Sequence, residues 1–318
     1  MNQILKQMAD IRLISCVGVE YDLGLLPHFI EYYTKLGIPA ENIHIILQAS
    51  DASCAELGAA TQILNSFNIE PAELWIAPYT SDSMWNKRRE IQQRCAKDTD
   101  WVISADTDEF HEFPVSLESF FQYCDKKGIN CVQGVFIDRL SKNGTLKAVE
   151  KDRSIFEQYP LQADVICTIR KKEEGGWKYG TVNIMACRGN ILPARGGHHP
   201  ITSGPDIKYL YGKQLAAIRG ITDPGVRFSI PLRVHHFKWK AALKESLETR
   251  LATDGVSERG KAYGDLLFDH IHEHGGINMA EMPVRIPNSV NILSWKIRIR
   301  LIKLGALLSA VKQKMVRS

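Results

Sequence analysis

The segment from Trp101 to Pro114 reads WVISADTDEFHEFP and joins a strand-like run to a cluster of acids. Its first five residues are apolar or small, as in a buried parallel strand, and polar residues follow at once. Three runs of the same kind precede it, at Arg12 to Val19, Ile43 to Gln48 and Leu74 to Pro78. We expect these four runs to be neighbouring strands.

Segments with helical periodicity separate the predicted strands. Apolar residues recur at helical spacing from Leu26 to Leu36 and from Met84 to Cys95, and Ser53 to Glu56 reads as a capping box that opens another helix. Strand and helix in alternation predict βαβ units. The expected fold class is therefore α/β, with a mixed, mainly parallel sheet flanked by helices.

The second half of the chain has a less regular pattern. We predict helices at Ser116 to Cys124 and about Ala241 to Leu251, and strands at Cys131 to Asp138, Thr181 to Arg188 and Val226 to Ile230. Glycine and proline are dense between the last strands, which predicts loops over one edge of the sheet. Without a visible linker, we expect one domain over residues 1–290 and a separate tail over residues 291–318.

Composition narrows the class of protein. The 318 residues are 44% hydrophobic and 24% charged, which is typical of a globular protein and excludes a disordered chain or a small disulfide scaffold. A net charge of +4 is too small to predict nucleic-acid binding. Seven cysteines without a C-x-x-C pair, and no visible leader or membrane span, predict a cytoplasmic protein.

The tail over residues 291–318 is basic, with seven Lys or Arg residues and no acid. Apolar and basic residues alternate along it. Such a segment suits the surface of an anionic membrane, which would place the protein at the inner face of the bilayer. It equally suits a helix that docks on the body and keeps its charges in water.

Asp106 and Asp108 follow directly after the predicted Trp101 strand. Ligands of open α/β sheets bind beyond the carboxyl ends of the strands. Two carboxylates in this position can share Mg²⁺ or Mn²⁺, which takes its other ligands from water and phosphate. The alternative is a solvated acidic loop or a helix N-cap.

Several segments in this order resemble the family 2-type glycosyltransferases, in particular the bacterial branch similar to glycosyltransferase family 92. They are CVGVEYD, ILQASD, MWNKRREIQ, WVISADTDEF, GVFIDRL, RGNILPARGGHHP and RVHHFKWKAALKE, and they cover roughly residues 11 to 280. The resemblance implies a GT-A fold and metal-dependent, inverting transfer from a nucleotide-sugar, foremost a UDP-sugar. The acceptor would be a glycan, lipid-linked or other hydroxyl, as in cell-surface polysaccharide synthesis.

The resemblance also implies roles for single residues. Asp106 and Asp108 would meet the metal and the donor diphosphate, with Asp108 as the direct ligand. His236 matches the family's C-terminal histidine and is a candidate ligand for Mn²⁺, with His235 as its competitor. Asp51 matches an acid that contacts the uracil or ribose, although it could instead begin the next helix.

Three further roles have alternatives that the sequence leaves open. Glu20 ends the first strand, and like Asp51 it could either contact the uracil or ribose or simply begin the next helix. Arg88 lies on an apolar helix face and needs a buried anion, either Asp106 or a substrate phosphate, unless it extends to solvent. Asp138 is the first choice for the general base that an inverting transfer needs, with Asp164 and Asp206 as alternatives.

Two histidine-containing segments complete the candidates. Arg195 to Pro200 suits a loop that closes over donor or acceptor, and ordinary loop structure explains it equally well. His270, His272 and His274 are interpreted as the polar end of a helix.

Two other classes of protein remain possible. A haloacid-dehalogenase-type phosphohydrolase also uses D-x-D after a strand, but it normally needs Thr or Val where this chain has Phe110. A non-catalytic module that binds nucleotide or glycan is the second.

Overall fold

The computed structural model describes residues 10–170, 181–201, 206–254, 256–286 and 295–305. The strands of this part are β1 Ile11–Gly18, β2 Ile43–Ala49, β3 Glu73–Ile76, β4 Trp101–Ser104, β5 Glu109–Glu112, β6 Cys131–Leu140, β7 Leu161–Ala163, β8 Val182–Arg188, β9 Arg233–His236 and β10 Val284–Arg285. The helices are α1 Val19–Asp22, α2 Leu26–Lys35, α3 Ala55–Ser66, α4 Ser81–Cys95, α5 Leu117–Lys126, α6 Ile155–Gln158, α7 Val165–Arg170, α8 Pro224–Ser229, α9 Leu243–Ala252 and α10 Glu258–His274.

The ten strands form one mixed sheet: eight follow in the order β10-β7-β6-β8-β4-β1-β2-β3, and β9 pairs with both β5 and β6. The predicted α/β class is confirmed. The four strands β3, β2, β1 and β4 are parallel to one another, as the alternation of strands and helices predicts. Beyond β4, the neighbours β8, β6, β7 and β10 run antiparallel to each other.

Helices cover both faces of the parallel half of the sheet. Side chains of a strand alternate between the two faces, so each strand contributes apolar residues to both. Leu13 and Val17 of β1 belong to the main core, which also contains residues of α2, α3 and α5. Ile14 packs on the opposite face in a second core with Trp85 of α4. Both faces of β1 are thus buried, which explains its nearly continuous apolar sequence.

Two local predictions are wrong. The segment Val226 to Ile230 is not a strand: it lies mostly within α8, because Asp223 caps that helix through the Val226 backbone N–H and Pro224 occupies its first turn. The capping box at Ser53 does not form either. Cys54 is the N-cap of α3 without a side-chain cap, and the Ser53 hydroxyl donates to Asp51 instead.

Part of the predicted tail is helical and packs on the body. Residues 295–305 form a helix whose Trp295 and Ile299 are buried in the main core. The remaining tail residues, 291–294 and 306–318, lie outside the described part of the chain. Among the helices described, none combines the length and the apolar character needed to cross a bilayer.

Candidate active site

The predicted D-x-D segment forms the turn between β4 and β5. The backbone N–H of Glu109 donates to the carbonyl of Asp106 over 2.9 Å, which closes the turn. The backbone N–H of Phe237 donates to the carbonyl of Asp108 over 2.7 Å. This second bond ties the turn to the end of β9, about 130 residues later in the chain.

Strand pairing brings His236 to this turn. In the register of the sheet, His236 lies opposite Glu109 of β5 on one side and opposite Asp138 of β6 on the other. Its Nε2 atom is 3.5 Å from Asp108 Oδ2, and its Nδ1 atom is 3.0 Å from Asp138 Oδ1. Since an ionised carboxylate only accepts hydrogen bonds, Nδ1 of His236 is protonated, and its N–H donates a hydrogen bond to Asp138.

The resulting chain of contacts, Asp138 to His236 to Asp108, has the form of a supported metal ligand. Metal-binding histidines usually donate their second ring N–H to a carboxylate, which fixes the tautomer and the ring orientation. Burial alone would lower the pKa of His236, but the carboxylates of Asp108 and Asp138 outweigh it and raise that pKa. The raised pKa favours the imidazolium, in which Nε2–H points to Asp108; in the neutral ring, with the proton on Nδ1, the Nε2 lone pair faces Asp108 instead.

The sequence left His235 and His236 in competition, and the structure separates them. Neighbouring side chains of a strand point to opposite faces. His235 points away from Asp108, and its Nε2 atom lies 3.0 Å from Glu112 Oε2. Only His236 of the pair faces the D-x-D turn.

The structure corrects the role predicted for Asp138. Its carboxylate is buried, and both oxygens are occupied. Oδ1 accepts from His236 and, over 2.9 Å, from Trp239 Nε1, while Oδ2 accepts from the backbone N–H groups of Val165 and Ile166 at 2.8 and 3.1 Å. A general base must reach the hydroxyl whose proton it takes, so this geometry makes Asp138 a positioning residue.

The two alternative bases are also placed unfavourably. Asp164 is buried and ion-paired with Arg227. Asp206 lies by Asn130, whose side chain donates to the Asp206 carbonyl over 2.6 Å. Asn130 precedes β6, whereas the site lies toward the other end of that strand at Asp138. Of the three predicted bases, Asp138 lies at the site with both oxygens engaged, Asp164 is paired with Arg227, and Asp206 lies by the other end of β6.

Arg88 is buried and has an anionic partner, as its position on α4 predicts. Its side chain is 3% exposed, and Nη2 lies 2.6 Å from Asp106 Oδ1. Nη2 also donates to the carbonyl of Ala105 over 3.1 Å, and the guanidinium lies over the ring of Trp85. Arg88 thus fixes the end of β4 and turns the Asp106 carboxylate toward α4.

Asp106 and Asp108 consequently have different surroundings. Among the described residues, the one group that brings three His, Cys, Asp or Glu ligand atoms within 4.8 Å of one another is His270, His274 and Glu281. The ligand atoms of Asp106, Asp108 and His236 are therefore not all within 4.8 Å of one another, and the three-residue metal set stays a prediction. The pair Asp108 and His236 faces a common point, and Asp106 belongs with Arg88.

We expect Arg88→Gln to lower the free energy of unfolding by about 1–3 kcal/mol. The substitution removes the hydrogen bond to the Ala105 carbonyl, and it replaces the guanidinium that pairs with Asp106 by a shorter, neutral side chain. Chemical denaturation without substrates measures the change. Arg94→Gln is the control, since Arg94 is exposed on the same helix and donates to one carbonyl, that of Ala72. The Arg94→Gln variant should lose less than about 1 kcal/mol of its free energy of unfolding. Equal losses in the two variants would contradict a special role for Arg88.

Asp22 and Lys240, which the sequence did not single out, also line the site. Lys240 Nζ lies 2.8 Å from Asp22 Oδ1. Burial raises the pKa of Asp22, and repulsion from Asp108 and Asp106 adds to it, while Lys240 acts in the opposite direction. The sequence did contain a signal for both residues. Asp22 follows Glu20 by two residues in the segment after the first strand, and Lys240 directly follows the HHFKW run.

Glu109 adds a fourth carboxylate. Burial, together with repulsion from Asp106 and Asp108, raises its pKa to about 8. Its Oε2 atom accepts from Asn183 Nδ2 over 2.9 Å. Asp22, Asp106, Asp108 and Glu109 thus share the site with the cations Arg88, Lys238 and Lys240, and Asp138 lies behind His236. The mixed oxygen and imidazole donors of Asp108 and His236 suit Mn²⁺.

Glu20 lies in α1, directly after β1, and Asp51 follows β2 by two residues; both are engaged locally. Glu20 Oε1 accepts from the backbone N–H of Ser50 over 3.0 Å and from the Ser50 hydroxyl. Asp51 Oδ1 accepts from the N–H and hydroxyl of Ser53, and these bonds lower the pKa of Asp51. Each interaction uses one carboxylate oxygen.

The loop from Arg195 to Pro200 is pinned to the sheet. Gly197 has a φ of +69°, and a Cβ there would lie 2.5 Å from Asn183 Oδ1, so the close approach needs glycine. Gln133 Nε2 donates to the carbonyl of His198 over 2.7 Å. Burial lowers the pKa of His198, and the Asp106 carboxylate acts in the opposite direction, which places this histidine within electrostatic range of the site.

The histidines at residues 270–274 end α10, as predicted, and Gly275 terminates the helix in the left-handed conformation. His270 and His274 also meet Glu281. Asn278 connects this group: its backbone N–H donates to His270 Nε2 over 3.4 Å and its side chain donates to Glu281 over 3.0 Å. These bonds account for the arrangement.

No family model and no curated protein matches the chain. Among solved structures, S. aureus TarS 1–349 is 10% identical with a TM-score of 0.33, over 83% of this chain and 72% of that one. Its complex with UDP-GlcNAc is 9% identical, with a TM-score of 0.33 over 83% and 73%. The mannosyltransferase PcManGT from Pyrobaculum calidifontis, in complex with GDP-Man and Mn²⁺, is 11% identical, with a TM-score of 0.35 over 96% and 76%.

Proposed function

We propose that the protein is a metal-dependent glycosyltransferase of the GT-A type that uses a nucleotide-sugar donor. The observation that carries the proposal is the placement of His236 between Asp138 and Asp108 at the carboxyl end of the parallel strands. This position is where open α/β sheets bind their ligands. The order of segments that resembles the family 2-type glycosyltransferases supports the same conclusion.

Asp108 and His236 would hold the cation in this proposal. Bound there, Mn²⁺ or Mg²⁺ supplies a Lewis acid that neutralises the charge of the departing diphosphate. Asp138 keeps the His236 proton on Nδ1 and so keeps Nε2 available. Lys240 lies beside Asp22 in this acidic group and would contribute a fixed positive charge toward a bound diphosphate.

Glu20 and Asp51 would contact the nucleoside. The second oxygen of each carboxylate can accept from a base N–H or a ribose hydroxyl, while the first holds its serine. The resemblance makes a UDP-sugar the expected donor, a glycan or lipid-linked hydroxyl the expected acceptor, and inversion the expected outcome.

A donor screen tests this function. Thermal unfolding is followed with UDP-, GDP-, CMP- and dTDP-sugars, with Mn²⁺ or with EDTA, because a ligand that binds the folded state raises its apparent stability. We expect one nucleotide class to raise the melting temperature only with Mn²⁺, and to release its nucleoside diphosphate.

The same screen separates the alternatives. Stabilisation without nucleotide release, over a panel of acceptors, would favour a non-catalytic binding module. Release of phosphate from a simple phosphomonoester would favour the phosphohydrolase. If no donor binds with Mn²⁺, the glycosyltransferase proposal is wrong.

A further inference from the structure

We propose that the helix of residues 295–305 attaches the protein to an anionic lipid bilayer through the helix face that points away from the body. One face of this helix is already used, since Trp295 and Ile299 are buried in the main core. The Trp295 ring contacts the rings of Phe120 and Tyr123 of α5. The helix is therefore held in a fixed orientation on the body.

A second apolar stripe lies on the outer face. Ile297, Leu301 and Leu304 are 56, 62 and 53% exposed, and all three rank among the large exposed hydrophobic residues of the described chain. At about 100° per residue, their spacing of four and then three residues places them within about 60° of one another. The stripe lies opposite Trp295 and Ile299, so docking the helix on the body does not bury it.

Basic residues separate the two apolar faces. Helical geometry places Arg298 on one flank and Lys296, Arg300 and Lys303 on the other. The sequence continues with three more basic residues, Lys312, Lys314 and Arg317, and residues 291–318 contain no acid. An apolar stripe between basic flanks is the pattern of a helix that lies in the plane of a bilayer interface.

Charge complementarity selects the bilayer over another copy of this chain. A dimer through this stripe would bring two strongly basic segments together, and like charges across an interface oppose association. An anionic lipid surface attracts the same charges. The exposed leucine and isoleucine side chains then replace contact with water by contact with acyl chains.

Sedimentation with lipid vesicles tests the proposal on the full chain and needs no catalysis, so its outcome is independent of the proposed function. Vesicles of phosphatidylcholine alone are compared with vesicles that also contain phosphatidylglycerol. We expect binding to the anionic vesicles, little binding to the neutral ones, and weaker binding as salt rises. Equal or absent binding to both kinds of vesicle would overturn the proposal.

The triple variant Ile297→Ser, Leu301→Ser, Leu304→Ser should weaken binding to anionic vesicles by about tenfold or more. The matched control is Leu74→Ser with Ile76→Ser, because these residues are 60 and 42% exposed on β3, and it should bind like the wild type. Arg300→Gln removes one exposed charge and should weaken binding about fivefold.

Two outcomes would refute the assignment of the stripe. One is wild-type vesicle binding by the triple variant, with its thermal unfolding unchanged. The other is a wild-type dimer that becomes a monomer in the triple variant, measured by light scattering without lipid, since the stripe would then contact a second copy.

Discussion

Asp108→Asn is expected to reduce nucleotide-sugar turnover about a thousandfold, because the amide no longer offers the anionic oxygen that faces His236 Nε2. Burial acts to raise the pKa of Asp108, but His236 and Lys240 outweigh it and lower that pKa, so the wild-type side chain is ionised at neutral pH. Steady-state release of nucleoside diphosphate measures the loss. In the same variant, Mn²⁺ should no longer raise the melting temperature.

The control is Asp98→Asn, which replaces an exposed acid by the same amide. It should retain both turnover and the stabilisation by Mn²⁺. Wild-type turnover and Mn²⁺ dependence in Asp108→Asn would exclude Asp108 as a metal ligand. The site as we describe it would then be wrong.

Asp138→Asn is expected to weaken Mn²⁺ binding by about ten- to a hundredfold and to lower turnover with it. An amide offers one accepting oxygen, whereas Asp138 accepts four hydrogen bonds with two. If the NH₂ group of the introduced amide faces His236, the histidine must accept a hydrogen bond at Nδ1. The ring proton then moves to Nε2, which faces Asp108. If the NH₂ group faces α7, it meets the N–H groups of Val165 and Ile166.

Either orientation leaves buried donors unpaired, so the free energy of unfolding should also fall by about 1–3 kcal/mol. Titration of Mn²⁺ followed by electron paramagnetic resonance separates the two possible roles of Asp138. A positioning residue affects Mn²⁺ affinity, whereas a general base would affect turnover alone. Unchanged Mn²⁺ affinity in Asp138→Asn would therefore restore the role predicted from the sequence.

Trp239→Phe is the matched control, because it removes one donor from Asp138 Oδ1 and keeps an aromatic ring in the core. The hydrogen bond from His236 remains. We expect this variant to bind Mn²⁺ nearly as well as the wild type, although it should be less stable. A loss as large as in Asp138→Asn would indicate that the effect comes from packing.

The parallel half of the fold was predictable because its signals are local. Each of β1, β2 and β4 is a nearly continuous apolar run between helical segments, as expected for strands buried on both faces. The position of Asp106 and Asp108 at the site follows from this half alone, since both come directly after β4. The partner of Arg88 was also within reach, because α4 immediately precedes that strand.

Pairing between distant strands decided the rest. The choice of His236 over His235, and the change of Asp138 from base to positioning residue, depend on the register of β9 with β5 and β6. β5 and β9 are four residues long, and so short a segment carries too little periodicity to predict its partner or register. The sequence by itself determined which acids end the central strand, because the chain is continuous there. Only the tertiary structure decided which histidine meets them, because contacts across about 130 residues are set by packing.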